Sequence, residues 1–304
     1  MRKQKFDMTS WLLLLPALFA FVMVIIIPFI MGILYSFTDW SSRPQPDGMQ
    51  VVGLLNYLET FKDPSFLYSF IVTTVYTALN MLIINVVAFI LALLVTSNIK
   101  FKHAYRVGFF LPNLIGGLIL GYIWQFIFNI VVPNLPLITE LIPAIQNPAN
   151  YILAERNSAL MAIVIAGSWQ YAGYIMMIYV AAIISVPGEL FEAAKIDGAG
   201  PWMQLRTIII PMTAQAFTVT LFLTLVQSFK QYDVNVSLTG GGPATTFMEK
   251  SILGTELLAM NIYNTAFKAN QLAQSQARAV IFFLVLAVIS TFQVRANKKQ
   301  EIEL

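Results

Sequence analysis

The chain has 304 residues, of which 58% are hydrophobic and only 11% charged, and its mean hydropathy is +0.73. Water-soluble domains carry about 25% charged residues, so this composition excludes an ordinary soluble fold and indicates a polytopic membrane protein. The net charge of +3 gives no reason to expect a nucleic-acid partner. The absence of cysteine and the single histidine exclude disulfides, thiolate metal sites and an imidazole site, and we expect no bound metal.

The first predicted element is an uncleaved membrane span over residues 11–37. Cations precede it, as in a signal peptide, but the apolar run exceeds the usual signal-peptide core of about 7–15 residues. The run leads into Tyr35, Phe37 and Trp40, which are typical of an interfacial aromatic belt. A mixed polar loop over residues 38–66 is expected to follow.

The second predicted span covers residues 68–97 and contains two amide side chains, Asn80 and Asn85. In lipid an unsatisfied amide is costly, so both must face protein or water. A short basic loop, which also holds the only histidine, His103, separates this span from the next. We expect His103 to be a solvated loop residue.

The third predicted span covers residues 107–130. Gly117 and Gly121 lie four apart within it, a spacing that lets a neighbouring helix approach closely, so we expect a packing role. Four prolines preclude a long helix over residues 131–157. A fourth span is predicted over residues 158–184.

Two more spans complete the pattern, the fifth over residues 209–230 and the sixth over residues 278–296. Between them a long external stretch contains three consecutive glycines, Gly240 to Gly242. We interpret these as a turn, because no lysine or helix follows to make a phosphate-binding loop. Six spans of about 20 residues predict an all-α membrane protein.

Charge predicts the orientation of these spans. Short basic segments lie at the N-terminus, at residues 98–106 and in the C-terminal tail, whereas the opposite loops are longer and mix both charges. Under the positive-inside rule, both termini and residues 185–211 are cytoplasmic, and the protein is expected in the plasma or inner membrane.

Residues 185–211, called the hinge segment below, predict two short helices. Ser185 is expected to cap the first, with Glu189 in its first turn and Glu192 able to pair with Lys195. Gly198 ends the first helix in the left-handed conformation. The second begins at Gly200–Pro201 and runs until Pro211 interrupts it.

The hinge segment also carries a family resemblance. Glu192-Ala193-Ala194, three residues, Gly198, nine residues and then Ile208-x-Ile210-Pro211 resemble the EAA loop of permease subunits of binding-protein-dependent ABC importers. Ile210 departs conservatively from the usual leucine. Residues 51–66 and the TGGGP turn are also similar to segments of carbohydrate-importing permeases, whereas QLAQSQARA departs from the stretch common before the last span.

The resemblance implies a type I ABC importer transmembrane domain of the maltose or multiple-sugar kind. It divides the chain into an N-terminal helix and loop (1–66), a core permease domain (67–296) that includes the hinge segment, and a cytoplasmic tail (297–304). It implies the following residues for coupling to an ATPase: Glu192, Ala193, Ala194, Asp197, Gly198, Ala199, Arg206 and Pro211.

The partners implied are a second permease, a cytoplasmic ABC ATPase dimer and an extracellular solute-binding protein. The implied mechanism is alternating access that carries a sugar into the cell. This chain lacks the phosphate-binding G-x-x-x-x-G-K-[ST] motif, so ATP and Mg are expected in the ATPase partner and no cofactor in this chain.

Neutral polar and aromatic side chains supply the candidate substrate path. Sugars are recognised by aromatic faces and by amide or hydroxyl hydrogen bonds. The candidates lie in or after the fourth and fifth spans: Gln170, Tyr171, Tyr174, Thr224, Gln227, Ser228 and Gln231. The same groups could instead join helices to one another, and the sequence leaves both interpretations open.

Two other functions are possible. A secondary carrier would work without an ATPase, but it usually buries an acidic or histidine side chain along its ion route, and charged residues are nearly absent from these span interiors. A membrane scaffold without transport would leave the neutral polar side chains of the fourth and fifth spans unexplained. A membrane enzyme is not expected, because no catalytic pair or nucleophile with a base is visible.

Overall fold

The computed structural model describes residues 8–41, 48–143, 147 and 151–298. The cations before residue 8 and residues 299–304 of the predicted tail lie outside this part. Among the described residues, five helices are long and apolar enough to cross a membrane, or six if one bent pair counts as a single span. The predicted mainly helical membrane fold is confirmed, with one small β-hairpin that was not predicted.

The spans begin and end close to the predicted positions in most cases. The largest differences are at three starts: the third span begins ten residues later than expected, and the fifth and sixth begin eight and six residues earlier. The structure gives the spans as Leu12–Tyr35, Pro64–Thr96, Gly117–Asn134, Arg156–Ile184, the bent pair Pro201–Met212 with Ala214–Phe229, and Leu272–Asn297.

Residues 102–110 were assigned in part to the third span, and that assignment is wrong. They form a separate helix, Lys102–Phe110, followed by a 3₁₀ turn over Leu111–Leu114. The proline and glycines of the sequence LPNLIGG explain the break, because proline cannot continue a helix and glycine weakens one. The third span then runs as an α-helix over Gly117–Phe126, a π-type turn over Ile127–Val131 and a 3₁₀ turn over Val132–Asn134.

The loop predicted over residues 38–66 is also partly helical. A helix occupies Leu55–Lys62, and the second span already begins at Pro64, where proline suits a first helical turn. The prolines of residues 131–157 allow only short pieces, as predicted, such as the helix Pro136–Leu141.

The chain forms two compact units. The first comprises the described residues up to Asp63 together with residues 262–283, so it joins the N-terminal helices to the start of the last long helix. Its first span is built from Met8–Phe21, a π-type turn and Ile27–Tyr35. Arg278 is buried there and forms an ion pair with Asp63, while a second guanidinium nitrogen donates to Thr265 at 2.8 Å.

The second unit, residues 64–261 and 284 onward, contains the second to fifth spans. The second and fourth spans pack along most of their length, and the straight part of the fifth span, Ala214–Phe229, packs against the second. Glu155 caps the fourth span: its carboxylate accepts from the Ser158 amide at 3.0 Å, and this hydrogen bond lowers the pKa of Glu155.

Gly117 and Gly121 have the packing role that their spacing predicts. A Cβ on Gly121 would lie 1.8 Å from the Ser237 hydroxyl, and one on Gly117 would lie 2.7 Å from the Asp233 Cβ. Both neighbours belong to the short helix Asp233–Leu238. The glycines therefore let this helix pack directly against the third span.

The three glycines at 240–242 form the predicted turn. Gly240 and Gly241 have φ values of +59° and +86°, which glycine adopts without steric cost. The Thr255 hydroxyl donates to the Gly242 carbonyl at 2.6 Å and closes the turn. The hairpin follows, with strands Ala244–Phe247 and Lys250–Leu253 antiparallel and Ala244 opposite Leu253. The remaining elements are the helix Leu258–Tyr263, the π-type turn Asn264–Lys268 and the helix Leu272–Lys298.

Candidate functional site

The first hinge helix spans Gly188–Ile196, and Glu189 lies in its first turn as predicted. The predicted cap is wrong. Pro187 is the residue before the first turn, and Ser185 instead ends the fourth span, where its hydroxyl donates to the Ala182 carbonyl at 2.7 Å. The reason is geometric, because the extended backbone that a cap requires occurs at Pro187, two residues later.

Gly198 ends this helix in the left-handed conformation, with φ +79°. Its amide donates to the Lys195 carbonyl at 3.1 Å, and the Ala199 amide donates to the Ala194 carbonyl at 2.8 Å. This pair of hydrogen bonds is a Schellman motif. A side chain at Gly198 would meet open space, so the backbone conformation alone requires glycine there.

The second hinge helix begins with Gly200 as its cap and Pro201 in its first turn, as predicted. The predicted interruption at Pro211 is wrong. A π-type turn over Leu205–Ile209 precedes the proline, and helix continues to Met212. Proline has no backbone N–H to donate, and the wider π-type turn accommodates this missing hydrogen bond. The chain instead bends by 69° at Thr213, where the fifth span begins.

The hinge helices lie uncovered in this chain. No residue of Gly188–Ile196 is buried, and Ile196 and Trp202 are 87% and 75% exposed. Within the described residues, Glu192 and Lys195 form no ion pair. The candidate coupling residues therefore lie on or beside an exposed, partly apolar surface: Glu192, Ala193, Asp197, Gly198 and Arg206 are exposed, and Ala194, Ala199 and Pro211 are half-buried.

The second, fourth and fifth spans enclose a closed polar network. Asn85 donates to the Thr224 hydroxyl at 2.9 Å and accepts from the Tyr179 hydroxyl at 2.8 Å. One and a half turns away, Asn80 donates to the Ser228 hydroxyl at 2.8 Å and accepts from Ser168 at 2.9 Å. Both asparagines face protein, as predicted. Thr224 and Ser228 thus join helices in this structure.

A small cavity of about 10 Å³, with room for about one water molecule, lies beside this network. It brings together four of the predicted path residues: Gln170, Tyr171, Gln227 and Gln231. The volume is below the range of about 300–1,000 Å³ that is usual for ligand pockets. This single chain therefore holds the polar groups around a space too small for a sugar.

The cavity also contains residues that sequence reasoning missed. Tyr76 lines it together with Asn80, and the two lie four apart on one face of the second span. That spacing could have identified Tyr76. Gly167 also lines the space, and a Cβ there would lie 2.8 Å from the Tyr76 hydroxyl, so glycine keeps this side open. One amide is already bonded, since Gln170 donates to the Ile115 carbonyl at 2.8 Å.

Tyr174 does not line this cavity. It lies in a separate apolar groove with Met177 and Ile178, beside the helix Lys102–Phe110. The four-residue spacing of Gln170 and Tyr174 puts both on one face of the fourth span. Several helices pack around this span, so two residues of the same face can contact different helices, and here Gln170 lines the cavity while Tyr174 lines the groove.

Comparisons with known proteins identify the family of this architecture. Residues 84–300 match the model of the binding-protein-dependent transport system inner membrane component family. A probable starch degradation products transport system permease protein, AmyD of Thermoanaerobacterium thermosulfurigenes, is 45% identical over 97% of this chain and 95% of its own.

Two further proteins support the match. A multiple sugar-binding transport system permease protein, MsmF of Streptococcus mutans, is 28% identical over 96% of each chain. The crystal structure of a bacterial ABC transporter that imports the acidic polysaccharide alginate superposes with a TM-score of 0.78 at 19% identity, and it covers 96% of each chain. That structural match shows the same fold.

Proposed function

The chain belongs to the family of binding-protein-dependent transport system inner membrane components, and on that premise we propose that it is the permease subunit of an ATP-driven importer that carries an oligosaccharide into the cell. The names of two relatives, which refer to starch degradation products and multiple sugars, support a carbohydrate as substrate. The observation that carries the proposal is the pairing of an exposed hinge segment with a neutral polar cavity between the spans that flank it.

The hinge segment is the proposed contact with a cytoplasmic ABC ATPase dimer. Its exposed apolar side chains, Ile196 and Trp202, have no cover in this chain, and a partner surface would remove them from water. The Schellman motif at Gly198 fixes the angle between the two hinge helices. A movement of the first hinge helix, caused by the ATPase, would then be transmitted to the fifth span through the bend at Thr213.

Two further partners complete the proposed importer. A second, similar permease would close the translocation path, and an external solute-binding protein would deliver the sugar, in keeping with the family's description. ATP and Mg would bind in the ATPase, whose nucleotide cycle would drive alternating access, and this chain would bind neither. The cavity lined by Gln170, Tyr171, Gln227 and Gln231 is the proposed part of the path that this chain contributes.

Both termini and the hinge segment are proposed to be cytoplasmic. Lys102 and Arg295 lie on that side in this orientation, and the hairpin lies outside. A cysteine at exposed Thr246 should react with an impermeant thiol reagent in intact cells, whereas one at Lys102 should react only after permeabilisation. Reversed labelling would overturn the orientation.

The coupling role is tested by Gly198→Asp. The change imposes a strained left-handed conformation on a residue with a side chain and adds a charge at the proposed ATPase contact. We expect normal insertion, with ATP-driven sugar uptake reduced at least tenfold and ATPase association weakened. Gly53→Asp is the matched control, because Gly53 has φ +60° and open space around it but lies outside the hinge segment. Wild-type uptake by Gly198→Asp would remove the hinge from the mechanism.

A secondary carrier is the alternative. The apolar interiors of the second, third and fourth spans contain no charged residue, so they offer no ion-coupling group. Proteoliposomes that contain the assembled complex separate the two functions. The proposal requires uptake that depends on internal ATP and on the binding protein, whereas uptake driven by an ion gradient alone would favour a carrier.

A further inference from the structure

An apolar groove of about 530 Å³ runs between the helix Lys102–Phe110 and the fourth span. It is distinct from the polar cavity. One cationic side chain, Arg106, lies among its lining residues. The others are apolar or aromatic: Val107, Phe110, Tyr174, Met177, Ile178 and Ala181.

The fold holds this groove open. Gly173 lets the C-terminal end of the short helix touch the fourth span, since a Cβ there would lie 1.8 Å from the Phe109 carbonyl oxygen. This contact fixes the C-terminal end of the short helix against the fourth span, but the space beside the rest of the short helix stays open. Val107 remains 61% exposed and Met177 37% exposed. An apolar surface of this kind is stable only against lipid or another apolar group.

Cations concentrate at the short helix. The basic residues are Lys100, Lys102 and Arg106, with His103 among them. The sequence contains no carboxylate between Asp63 and Glu140, and none of these cations forms an ion pair among the described residues. Arg106 donates to the Val95 carbonyl at 3.0 Å, while its Nε atom is buried without a hydrogen-bond partner. An anion beside the guanidinium would balance this positive charge.

We propose that this groove binds an anionic phospholipid, with an acyl chain along the apolar lining and the phosphate at Arg106. A transmembrane helix of a second protein could cover the same apolar surface. The excess of cations favours the lipid, because an amphipathic helix with cations on its polar face is the arrangement that binds anionic headgroups at a membrane surface. The inference requires only that the chain lies in a membrane, and it does not depend on which solute is carried.

The charge is tested by Arg106→Gln in the purified importer complex. The complex is placed in nanodiscs of phosphatidylcholine with a minor fraction of phosphatidylglycerol, extracted into mild detergent, and the retained lipid is weighed by native mass spectrometry. We expect the variant to retain about fivefold less phosphatidylglycerol, as fits the loss of one cation at an anionic surface. Arg106→Lys should restore most of it. Arg295→Gln, at an exposed cation near the end of the sixth span, is the matched control and should change little.

The apolar part is tested by Ala181→Trp, which fills the groove from an exposed position. Loss of retained phosphatidylglycerol from an intact complex supports the proposal, with Ala287→Trp on the exposed side of the sixth span as control. Dissociation of the complex by Ala181→Trp alone would show that a protein subunit occupies the groove and would overturn the proposal. Unchanged retention in Arg106→Gln would overturn it as well. Sugar uptake is measured in parallel. The uptake result tests the proposed transport function, and the retained lipid tests the proposed lipid site, so failure of one can be told from failure of the other.

Discussion

Two polar regions lie side by side between the second, fourth and fifth spans, and they differ in how completely their groups are paired. In the closed network, Asn85 bonds to both Thr224 and Tyr179, and both of these bonds cross between helices. In the cavity, by contrast, the Gln227 side chain forms no hydrogen bond to any other described residue. Gln227 and Ser228 are adjacent in sequence, yet one faces the cavity and the other closes the network.

This difference in pairing indicates that neighbouring residues serve different roles, some in holding the helices together and others in transport. A buried polar group that is paired within the chain contributes to holding helices together, and its loss leaves a partner unsatisfied. A group that faces a cavity is free to bond to water or to a solute. The two interpretations that the sequence leaves open therefore apply to different residues: Thr224 and Ser228 join helices, and the cavity residues are the candidates for contact with sugar.

The largest effect is expected from Asn85→Leu, which breaks the closed network. It removes the acceptor of the buried Tyr179 hydroxyl proton and the amide that donates to the buried Thr224 hydroxyl, and each hydroxyl then keeps only its bonds to its other neighbours, such as Thr220. Leaving such groups unpaired costs roughly 1–3 kcal/mol. We expect a lower yield and a lower temperature of half-dissociation for the purified complex.

The matched change in the cavity is Gln227→Ala, because Gln227 forms no hydrogen bond to another described residue, whereas Gln231 hydrogen-bonds to the buried Tyr76 hydroxyl. Complex stability after each substitution, measured by size-exclusion chromatography after heating, checks the difference. If Gln227→Ala lowers complex stability as much as Asn85→Leu does, the proposed difference between the two regions is wrong. The sugar dependence of uptake by the Asn85→Leu complexes that do assemble should stay unchanged.

The smallest effect is expected from Tyr174→Phe. The hydroxyl is lost, but the ring keeps its place in the apolar groove, which shares no lining residue with the cavity. Sugar dependence of uptake should therefore shift by less than about twofold, which corresponds to under roughly 0.4 kcal/mol. Initial uptake rates across sugar concentrations measure it. A shift comparable to that of a cavity residue would return Tyr174 to the translocation path.

Composition and periodicity are enough to predict the membrane class and the hinge segment of this chain, and the six predicted spans agree with the structure if the bent pair counts as one span. The glycine cap at Gly198 and the helix start at Pro201 could be predicted because local backbone chemistry determines them. The break before the third span was missed because residues 107–130 are apolar throughout. Hydropathy alone cannot tell an interfacial helix followed by a span from one continuous span.

The site was only partly predictable for a related reason. Helical spacing identifies which residues share a face, and it correctly groups Gln227 with Gln231 at the cavity. It does not say which neighbouring helix that face meets, so it grouped Tyr174 with Gln170 and omitted Tyr76. The partners of Asn80 and Asn85 lie 88 to 148 residues away in sequence, and only the folded chain brings them together.

We propose that the cavity, and not the closed network, is part of the sugar path. The most direct test compares Gln227→Ala with Ser228→Ala in proteoliposomes, with uptake measured across sugar concentrations and complex stability measured in parallel. We predict that Gln227→Ala leaves stability unchanged and shifts the sugar dependence about two- to tenfold, the equivalent of one hydrogen bond of roughly 0.5–1.5 kcal/mol. Ser228→Ala should lower stability and leave the sugar dependence unchanged. An unstable Gln227→Ala complex with wild-type sugar dependence would contradict the claim.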